Sequence, residues 1–340
     1  MSIAALVVIG SHGPDRKLID CKKQQPLASC VIMKTPSLSR ASLSRRSFLT
    51  ISAAITGAVT TRVSVDASGA EPATPEAPKK HRIGLELYSV RGELARDLPN
   101  TLKTVAKFGY EVVEFYAPYF KWTPAYTKDV RAQMDDLGLR CYSTHNGFDS
   151  ITPGDNLPHT IELNQILGTH YVILASAPGG TSGVDGWKRL CEKFAVAVEQ
   201  LEPHGLGAGY HNHQAEWSKL ENGQRIMEVI AANTPKQFVL QLDVGTCEEA
   251  GSDPVAWVKA NPGRIKMMHL KDWTPGGGAE EKGYRVLFGE GVTPWKELMA
   301  AAESVGGLEY FLIEQEGSRF SEFETAQKCL ENWKKLFGKT

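Results

Sequence analysis

From residue 81 onwards, short runs rich in Val, Ile, Leu, Tyr and Phe alternate with longer segments whose apolar positions recur three or four residues apart. Runs of the first kind predict buried strands, and the second spacing predicts helices with one apolar face. Eight strands are predicted, over 83–87, 112–116, 140–144, 171–175, 207–211, 238–242, 265–270 and 310–313. Helices are predicted between and after them, over 98–108, 126–137, 157–167, 186–201, 223–232, 254–260, 294–305 and 321–336.

Signals at the ends of the predicted helices agree with this alternation. Gly109 follows a helical segment, where glycine commonly ends a helix. Asp253-Pro254 and Thr293-Pro294 each place a capping side chain before a proline at the first helical position. Eight strand–helix units in about 260 residues predict an α/β fold, a (β/α)8 TIM barrel. A doubly wound open sheet is disfavoured, because no glycine-rich phosphate loop follows the first strand.

The composition is that of a folded chain with balanced charge. The 340 residues include 38 Lys and Arg against 39 Asp and Glu, and 42% of them are hydrophobic. This hydrophobic fraction excludes a wholly disordered chain, and the lack of a basic excess argues against nucleic acid as a partner. No apolar run reaches the length of about 18 residues that predicts a membrane span, so stable membrane insertion is not expected.

The first 70 residues differ from the rest in charge and in pattern. They carry nine Lys or Arg and only three acidic residues, although the whole chain is balanced. Arg45-Arg46, followed by Phe48-Leu49 and an uncharged stretch that ends at residue 61, resembles a twin-arginine export signature. A chance arginine pair in an unstructured leader is the alternative interpretation.

The export signature predicts three segments with separate roles. An export signal and leader occupy 1–70, with Met33 as an alternative start, a Pro/Ala-rich tether occupies 71–80, and the barrel occupies 81–340. The twin-arginine translocation machinery is then a partner, and the mature protein is expected to be periplasmic or secreted. The four cysteines of the barrel form no C-x-x-C pair, so we expect buried free thiols.

Polar side chains stand where the predicted strands end. In a TIM barrel the C-terminal ends of all strands meet at one rim, which carries the active site. Imidazole and carboxylate groups together suit a divalent metal ion such as Mn²⁺, Zn²⁺ or Co²⁺, whereas Mg²⁺ prefers oxygen ligands alone. A single His or Asp at a strand end is more often a structural hydrogen-bonding group, so the prediction depends on their convergence. The residues concerned are Glu86, Tyr88, Glu114, His145, His211, His213, Asp243, His269, Lys271 and Glu314.

Six motifs give the chain a resemblance to a known family. They are Ile-Gly-Leu-Glu-Leu-Tyr-Ser-Val-Arg at 83–91, Tyr-His-Asn-His at 210–213, Leu-Asp-Val-Gly at 242–245, His-Leu-Lys-Asp at 269–272, Phe-Gly-Glu-Gly at 288–291 and Leu-Ile-Glu-Gln at 312–315. The chain resembles the xylose isomerase-like TIM barrel superfamily, in its sugar phosphate isomerase/epimerase branch, near inosose dehydratase and ketose 3-epimerases. The motifs are specific for the superfamily and much less so for one reaction.

The resemblance implies that side chains from the last four strands hold one divalent metal ion. Asp243, His269 and Glu314 match three of the family's ligands. Ketose epimerases and xylose isomerases place a glutamate at the end of the fifth strand, where this chain has Tyr-His-Asn-His. His211 lies nearest that position, followed by His213, which points the same way along a strand, and by Glu216.

The resemblance also implies isomerisation or epimerisation of a small sugar or keto-sugar through an enediolate, with the metal ion stabilising the charge. Epimerases of the superfamily use two ligand glutamates as paired acid and base, and only Glu314 is matched here. That departure leaves room for a lyase or dehydratase acting on a keto-sugar or keto-inositol. Candidate catalytic residues are Glu314, His145, His213, Glu216 and Lys271, and candidate substrate-binding residues are Glu86, Tyr88 and Trp273.

Two other interpretations are weaker. A non-catalytic sugar-binding barrel would have no need for the metal-binding triad of Asp243, His269 and Glu314. Endonuclease IV shares the barrel but has a histidine where this chain has Thr246, and it needs three metal ions. For Lys271, a structural ion pair with Asp272 is the alternative to a catalytic role. The oligomeric state is left open by the sequence.

Overall fold

Eight parallel strands close into a barrel in the part of the chain that the computed structural model describes, residues 81–276 and 283–338. The strands are β1 (Arg82–Glu86), β2 (Val112–Phe115), β3 (Arg140–Asn146), β4 (Tyr171–Leu174), β5 (Gly207–His211), β6 (Val239–Asp243), β7 (Met267–Leu270) and β8 (Tyr310–Ile313). Each strand pairs with the next along the chain, and β8 pairs with β1. This architecture confirms the predicted (β/α)8 TIM barrel.

Helices connect the strands on the outside of the barrel. They are α1 (Arg91–Arg96), α2 (Leu98–Phe108), α3 (Pro124–Asp136), α4 (Phe148–Ile151), α5 (Asn156–Leu167), α6 (Gly183–Leu201), α7 (Ile226–Asn233), α8 (Val244–Glu249), α9 (Pro254–Ala260), α10 (Trp295–Val305) and α11 (Glu322–Phe337). All eight predicted helices are present. The pattern does not predict α1, α4 and α8, because four to six residues are too few to display a helical repeat.

The barrel interior has an apolar layer beneath a polar one. Side chains alternate in direction along a strand, so residues two apart share a face. On four strands an apolar residue of the inner cluster is followed two positions later by a polar one, in the pairs Val112 and Glu114, Val239 and Gln241, Met267 and His269, and Leu312 and Glu314. The apolar layer closes the interior beneath the polar groups, so bulk water reaches them only from the C-terminal ends of the strands.

The predicted helix starts are confirmed in one case and wrong in another. Asp253 caps α9 by accepting hydrogen bonds from the backbone N–H groups of Val255 and Ala256. Helix α10 begins at Trp295, and Pro294 takes the cap position without a side-chain hydrogen bond. The Thr293 hydroxyl does not cap this helix, because it is engaged by two carboxylates described below.

The structure tests the prediction for the cysteines but not the predictions for the first 80 residues. The predicted export signal (1–70) and tether (71–80) lie outside the described residues. The four cysteines of the barrel are buried and unpaired, as predicted. Among the helices that the structure describes, none combines the length and the hydrophobicity required to span a bilayer.

Candidate active site

A cavity of about 810 Å³ opens at the C-terminal ends of the strands. Strand ends contribute Glu86, His145, His211 and Glu314 to its wall, and the loops beyond them contribute a set of aromatic and charged side chains. The loop residues include Tyr88, Arg91, Tyr116, His213, Lys271, Tyr284 and Glu316. A pocket of this size admits a ligand larger than a single pyranose ring.

Three potential metal ligands converge at this rim from different strands. His211 ends β5, Asp243 ends β6 and Glu314 follows β8, and each is buried. One ligand atom from each residue lies within 4.8 Å of the ligand atoms of the other two. His211 Nε2 is 3.8 Å from Asp243 Oδ2. This separation is too long for a hydrogen bond, so the two atoms do not bind each other directly and could share a ligand between them.

His269 joins these residues between two carboxylates. Its Nδ1 lies 2.9 Å from Glu314 Oε2, and its Nε2 lies 2.7 Å from Glu114 Oε2. Burial alone would lower the pKa of His269, but the carboxylates of Glu314 and Glu114 raise it to about 10. The ring is therefore held in place from both sides. With this pKa the ring is an imidazolium, so Nδ1 could bind an ion only after losing its proton, with Glu114 then holding Nε2 as carboxylates hold histidine ligands elsewhere.

The donor set fits a divalent cation. His211 Nδ1 is buried and has no hydrogen-bond partner in the described structure, and the buried Asp243 Oδ2 has only an ion pair with Lys271 Nζ at 3.0 Å. Burial raises the pKa of Asp243, and the Lys271 ammonium only partly offsets that effect. Buried polar atoms without partners are costly, and a bound cation would satisfy them. Imidazole nitrogens combined with carboxylate oxygens suit Zn²⁺, Mn²⁺ or Co²⁺ better than Mg²⁺.

Lys271 lies inside the site and does not pair with Asp272. Its Nζ is 3.0 Å from Asp243 Oδ2, 3.2 Å from Glu314 Oε2 and 2.6 Å from Glu316 Oε1. Burial would lower the pKa of Lys271, but these carboxylates raise it well above its usual value, so the side chain is an ammonium. Asp272 instead accepts hydrogen bonds from the backbone N–H groups of Gly289 and Gly291 and from the Trp295 indole, and thereby fixes the 289–295 segment.

Gln241, which is not among the predicted site residues, connects two polar groups inside the barrel. Its Nε2 donates to Glu114 Oε1 at 3.0 Å, so its Oε1 is left to accept from His145 Nε2 at 2.7 Å. The Nε2 atom of His145 therefore carries a hydrogen, and Nδ1 is free, 3.9 Å from Glu86 Oε1. Burial lowers the pKa of His145 despite the nearby Glu114 carboxylate, which favours the neutral ring. Gln241 precedes Asp243 by two positions, and this spacing was the available signal for an inward direction.

The family assignment follows from a comparison of sequences. Residues 102–336 match the model of the xylose isomerase-like TIM barrel family. The chain belongs to this family. No curated protein matches the chain in sequence. The family covers several reactions, so membership shows the fold and an enzyme lineage without naming one substrate.

Solved structures of xylose isomerase-like barrels superpose on this one over most of their length. A sugar phosphate isomerase/epimerase from Parabacteroides distasonis has 25% sequence identity and a TM-score of 0.63, covering 76% of this chain and 97% of its own. The IOLI protein with a bound zinc atom has 15% identity and a TM-score of 0.58, covering 75% and 97%. The probable 3-DHS dehydratase AsbF from Bacillus anthracis has 14% identity and a TM-score of 0.57, covering 74% and 97%. At these last two identities the likeness shows the fold alone.

In this xylose isomerase-like barrel, other predicted site residues take varied positions. His213 lines the cavity, and its ring centroid is 4.8 Å from that of His211. Glu216 has both carboxylate oxygens engaged, one by the Tyr210 hydroxyl and one by the backbone N–H of His213, each at 2.8 Å. Tyr88 lines the cavity with its ring against Tyr116. The structure thus gives Glu216 contacts that hold the loop after β5.

Trp273 lies on the wall of a second cavity, of about 350 Å³, and not among the residues that line the large one.

Near this second cavity, the Thr293 hydroxyl is 2.5 Å from Glu248 Oε2 and 2.9 Å from Asp272 Oδ1. One hydroxyl has one hydrogen, so both contacts are hydrogen bonds only if a carboxyl group carries a proton. Burial raises the pKa of Glu248 to about 7, and the carboxylates of Asp272 and Asp253 add to this effect against the hydrogen bond from Thr293.

This raised pKa predicts a pH-dependent stability. Between pH 4.5 and 7 the unfolded chain loses the Glu248 proton while the folded chain keeps it, so the free energy of unfolding falls as pH rises. Because the side chain is partly exposed, we expect a decrease of about 1–2 kcal/mol. Urea unfolding at pH 5 and pH 8 should show that Glu248→Gln loses less stability than the wild type. Glu297→Gln, on the exposed wall of the same cavity, is the control. Equal losses in Glu248→Gln and the wild type would contradict the protonated state.

Proposed function

We propose that the protein is a divalent-metal-dependent isomerase or epimerase acting on a small sugar or keto-sugar. The observation that supports this most is the buried donor set at the ends of β5 to β8, which has unsatisfied lone pairs and borders the 810 Å³ cavity. A metal centre beside an open pocket at the C-terminal end of a TIM barrel is where this fold places its chemistry.

His211, Asp243, His269 and Glu314 would hold the ion. When bound, it would act as a Lewis acid that stabilises negative charge developing on substrate oxygens. Glu114 keeps His269 in position through its 2.7 Å contact with Nε2. Burial would raise the pKa of Glu114, but His145 and His269 lower it, so the group is a carboxylate that orients the ring.

His145 is the base that the geometry favours. Its Nε2–H is committed to Gln241, and its neutral Nδ1 lies at the cavity wall beside Glu86. From there Nδ1 can take the proton from a carbon next to a carbonyl group, and the electron pair of that C–H bond forms the double bond of an enediolate. Return of the proton to the neighbouring carbon, or to the opposite face of the same carbon, completes an isomerisation or an epimerisation.

Glu86 is positioned to act as the acid that donates a proton to the substrate. It is fully buried, its Oε1 has no hydrogen-bond partner, and its Oε2 accepts from the Tyr88 backbone N–H. Burial raises the pKa of Glu86 well above its usual value, and the carboxylates of Glu314 and Glu114 raise it further. A carboxyl group with a raised pKa keeps its proton to higher pH than usual and can donate it to a substrate oxygen as charge develops there.

A lyase acting on a keto-sugar is the second candidate. It is supported by the donor set itself, because His211 stands where paired glutamates would serve a symmetric epimerisation. With one imidazole base and one carboxylic acid, loss of a β-hydroxyl group as water is an equally direct continuation from the enediolate.

The proposal is tested by incubating the metal-loaded protein with free ketoses and 3-keto-sugars in D₂O and recording NMR spectra. Incorporation of deuterium at a carbon next to the carbonyl group, lost after metal removal and regained with Zn²⁺, Mn²⁺ or Co²⁺, is the expected result. A product lacking one water would favour the lyase. Stoichiometric binding of sugar without exchange or conversion would contradict both reactions and favour a binding protein.

A further inference from the structure

The side chain of Lys271 places a positive charge on the oxygens proposed to bind the metal ion. Its Nζ contacts Asp243 Oδ2 at 3.0 Å and Glu314 Oε2 at 3.2 Å, and the lysine is only 2% exposed. Asp243 Oδ2 also lies 3.8 Å from His211 Nε2, and one ligand atom each of His211, Asp243 and Glu314 lie within 4.8 Å of one another. An ammonium group at this position neutralises carboxylates that would otherwise repel each other in a buried site.

A divalent ion and this ammonium cannot both bind the same two oxygens closely. Like charges a few ångströms apart in a poorly solvated site repel strongly, so the ammonium must move when the ion binds. The structure offers it a second partner, because Glu316 Oε1 lies 2.6 Å from Nζ. The Glu316 side chain is 44% exposed and lines the cavity, on the open side of the site.

We propose that Lys271 is a tethered cation that holds the Asp243 and Glu314 carboxylates together without a metal ion and withdraws to Glu316 when an ion binds. This inference rests on the proposed metal site and adds a residue that controls its affinity. Lys271 is thus a positioning residue that competes with the ion, and Glu316 is the partner that stabilises the withdrawn ammonium.

The packing around Lys271 confines this movement to the end of its side chain. A Cβ atom at Gly245 would lie 2.7 Å from the Lys271 carbonyl oxygen and 3.1 Å from its Cγ. The Lys271 backbone and Cγ therefore lie close to Gly245 in the first turn of α8. The part of the lysine side chain nearest the backbone has little space to shift. Because Nζ already contacts Glu316 Oε1 at 2.6 Å, the ammonium can leave the ligand oxygens only if the partly exposed Glu316 side chain moves outward with it.

The first test measures Zn²⁺ affinity without any substrate, by calorimetric titration of metal-stripped protein. Lys271→Met removes the competing charge, so we expect binding at least about tenfold tighter than in the wild type. Without metal, the same variant leaves two buried carboxylates unpaired and should melt at a lower temperature. Added Zn²⁺ should therefore raise its melting temperature by more than it raises that of the wild type.

A second variant keeps the test decisive if Lys271→Met does not fold. Glu316→Gln changes a partly exposed side chain and removes the partner for the withdrawn ammonium, so Zn²⁺ should bind about fivefold more weakly. Lys266→Met is the matched control, because Lys266 pairs with Glu309 at the opposite end of the same strand. It lies roughly 16 Å from Lys271 along the strand, and Zn²⁺ affinity should not change.

The outcomes separate this inference from the proposed function. Unchanged or weaker Zn²⁺ binding by folded Lys271→Met would overturn the competition and make the lysine a support of the site. If that variant is unfolded, unchanged Zn²⁺ binding by Glu316→Gln would overturn it. No Zn²⁺ binding by the wild type or by any variant would instead remove the proposed metal site, and the competition with it.

Discussion

Replacing Asp243 by Asn is expected to remove the bound metal ion and to lower kcat/KM by about 10³-fold or more. The substitution takes away one of four proposed ligands and the negative charge that draws a cation into a buried site. It preserves the fold, because an Asn oxygen can still accept the hydrogen bond that Asp243 Oδ1 receives from the Thr246 backbone N–H. Metal content per chain and steady-state kinetics measure the two effects.

Controls separate loss of the metal site from a general effect of amide substitution. Glu314→Gln should behave like Asp243→Asn, because its Oε2 contacts both His269 and Lys271. Asp97→Asn makes the same chemical change at the start of α2, where the carboxylate accepts from the Asn100 backbone N–H, and metal and activity should be retained. One ion per chain and full activity in Asp243→Asn would exclude this residue as a ligand.

The fold could be predicted because its elements are long enough to display their own periodicity. β8 has the predicted bounds, and helix α9 begins at the proline that its sequence signals indicate. The hydrophobic pattern does not predict elements whose presence or bounds depend on tertiary contacts. Helix α8 has only six residues, and its start depends on Asp243 as a cap. The start of α10 was shifted because two carboxylates compete for the Thr293 hydroxyl.

The residues of the site could be predicted only where the direction of a strand determines their position. Polar residues at strand ends must meet at the barrel rim, which brought His211, Asp243 and Glu314 together. Side chains in the loops follow local turns that the sequence does not reveal. The carboxylate of Glu216 turns back to cap the turn after β5, and Trp273 lies on another cavity. These positions depend on which hydrogen-bond partners the folded loops supply.

Replacing His145 by Gln is expected to lower kcat by about 10²–10⁴-fold, the usual contribution of a general base, while the metal ion stays bound. A glutamine can keep the contact to Gln241 but offers no basic nitrogen to the substrate. Deuterium exchange next to the carbonyl group should decrease by the same factor, because deuterium can enter only after a base has removed the proton. Loss of metal together with activity would instead make His145 a ligand.

The pH profile distinguishes a base from a residue that only shapes the pocket. Burial lowers the pKa of His145, so in the wild type the neutral form persists below the usual range for histidine and kcat should fall only at acidic pH. Gln241→Glu places a carboxyl group between His145 Nε2 and the Glu114 carboxylate. The two carboxyl groups share a proton at low pH, and as it is lost the added negative charge favours the charged ring, so the acidic limb of the profile should move to higher pH. Gln241→Met removes the hydrogen bond without adding charge. It should reduce kcat but shift the acidic limb of the pH profile less than Gln241→Glu does. An acidic limb that does not move in Gln241→Glu would transfer the role of base from His145 to another group on the cavity wall.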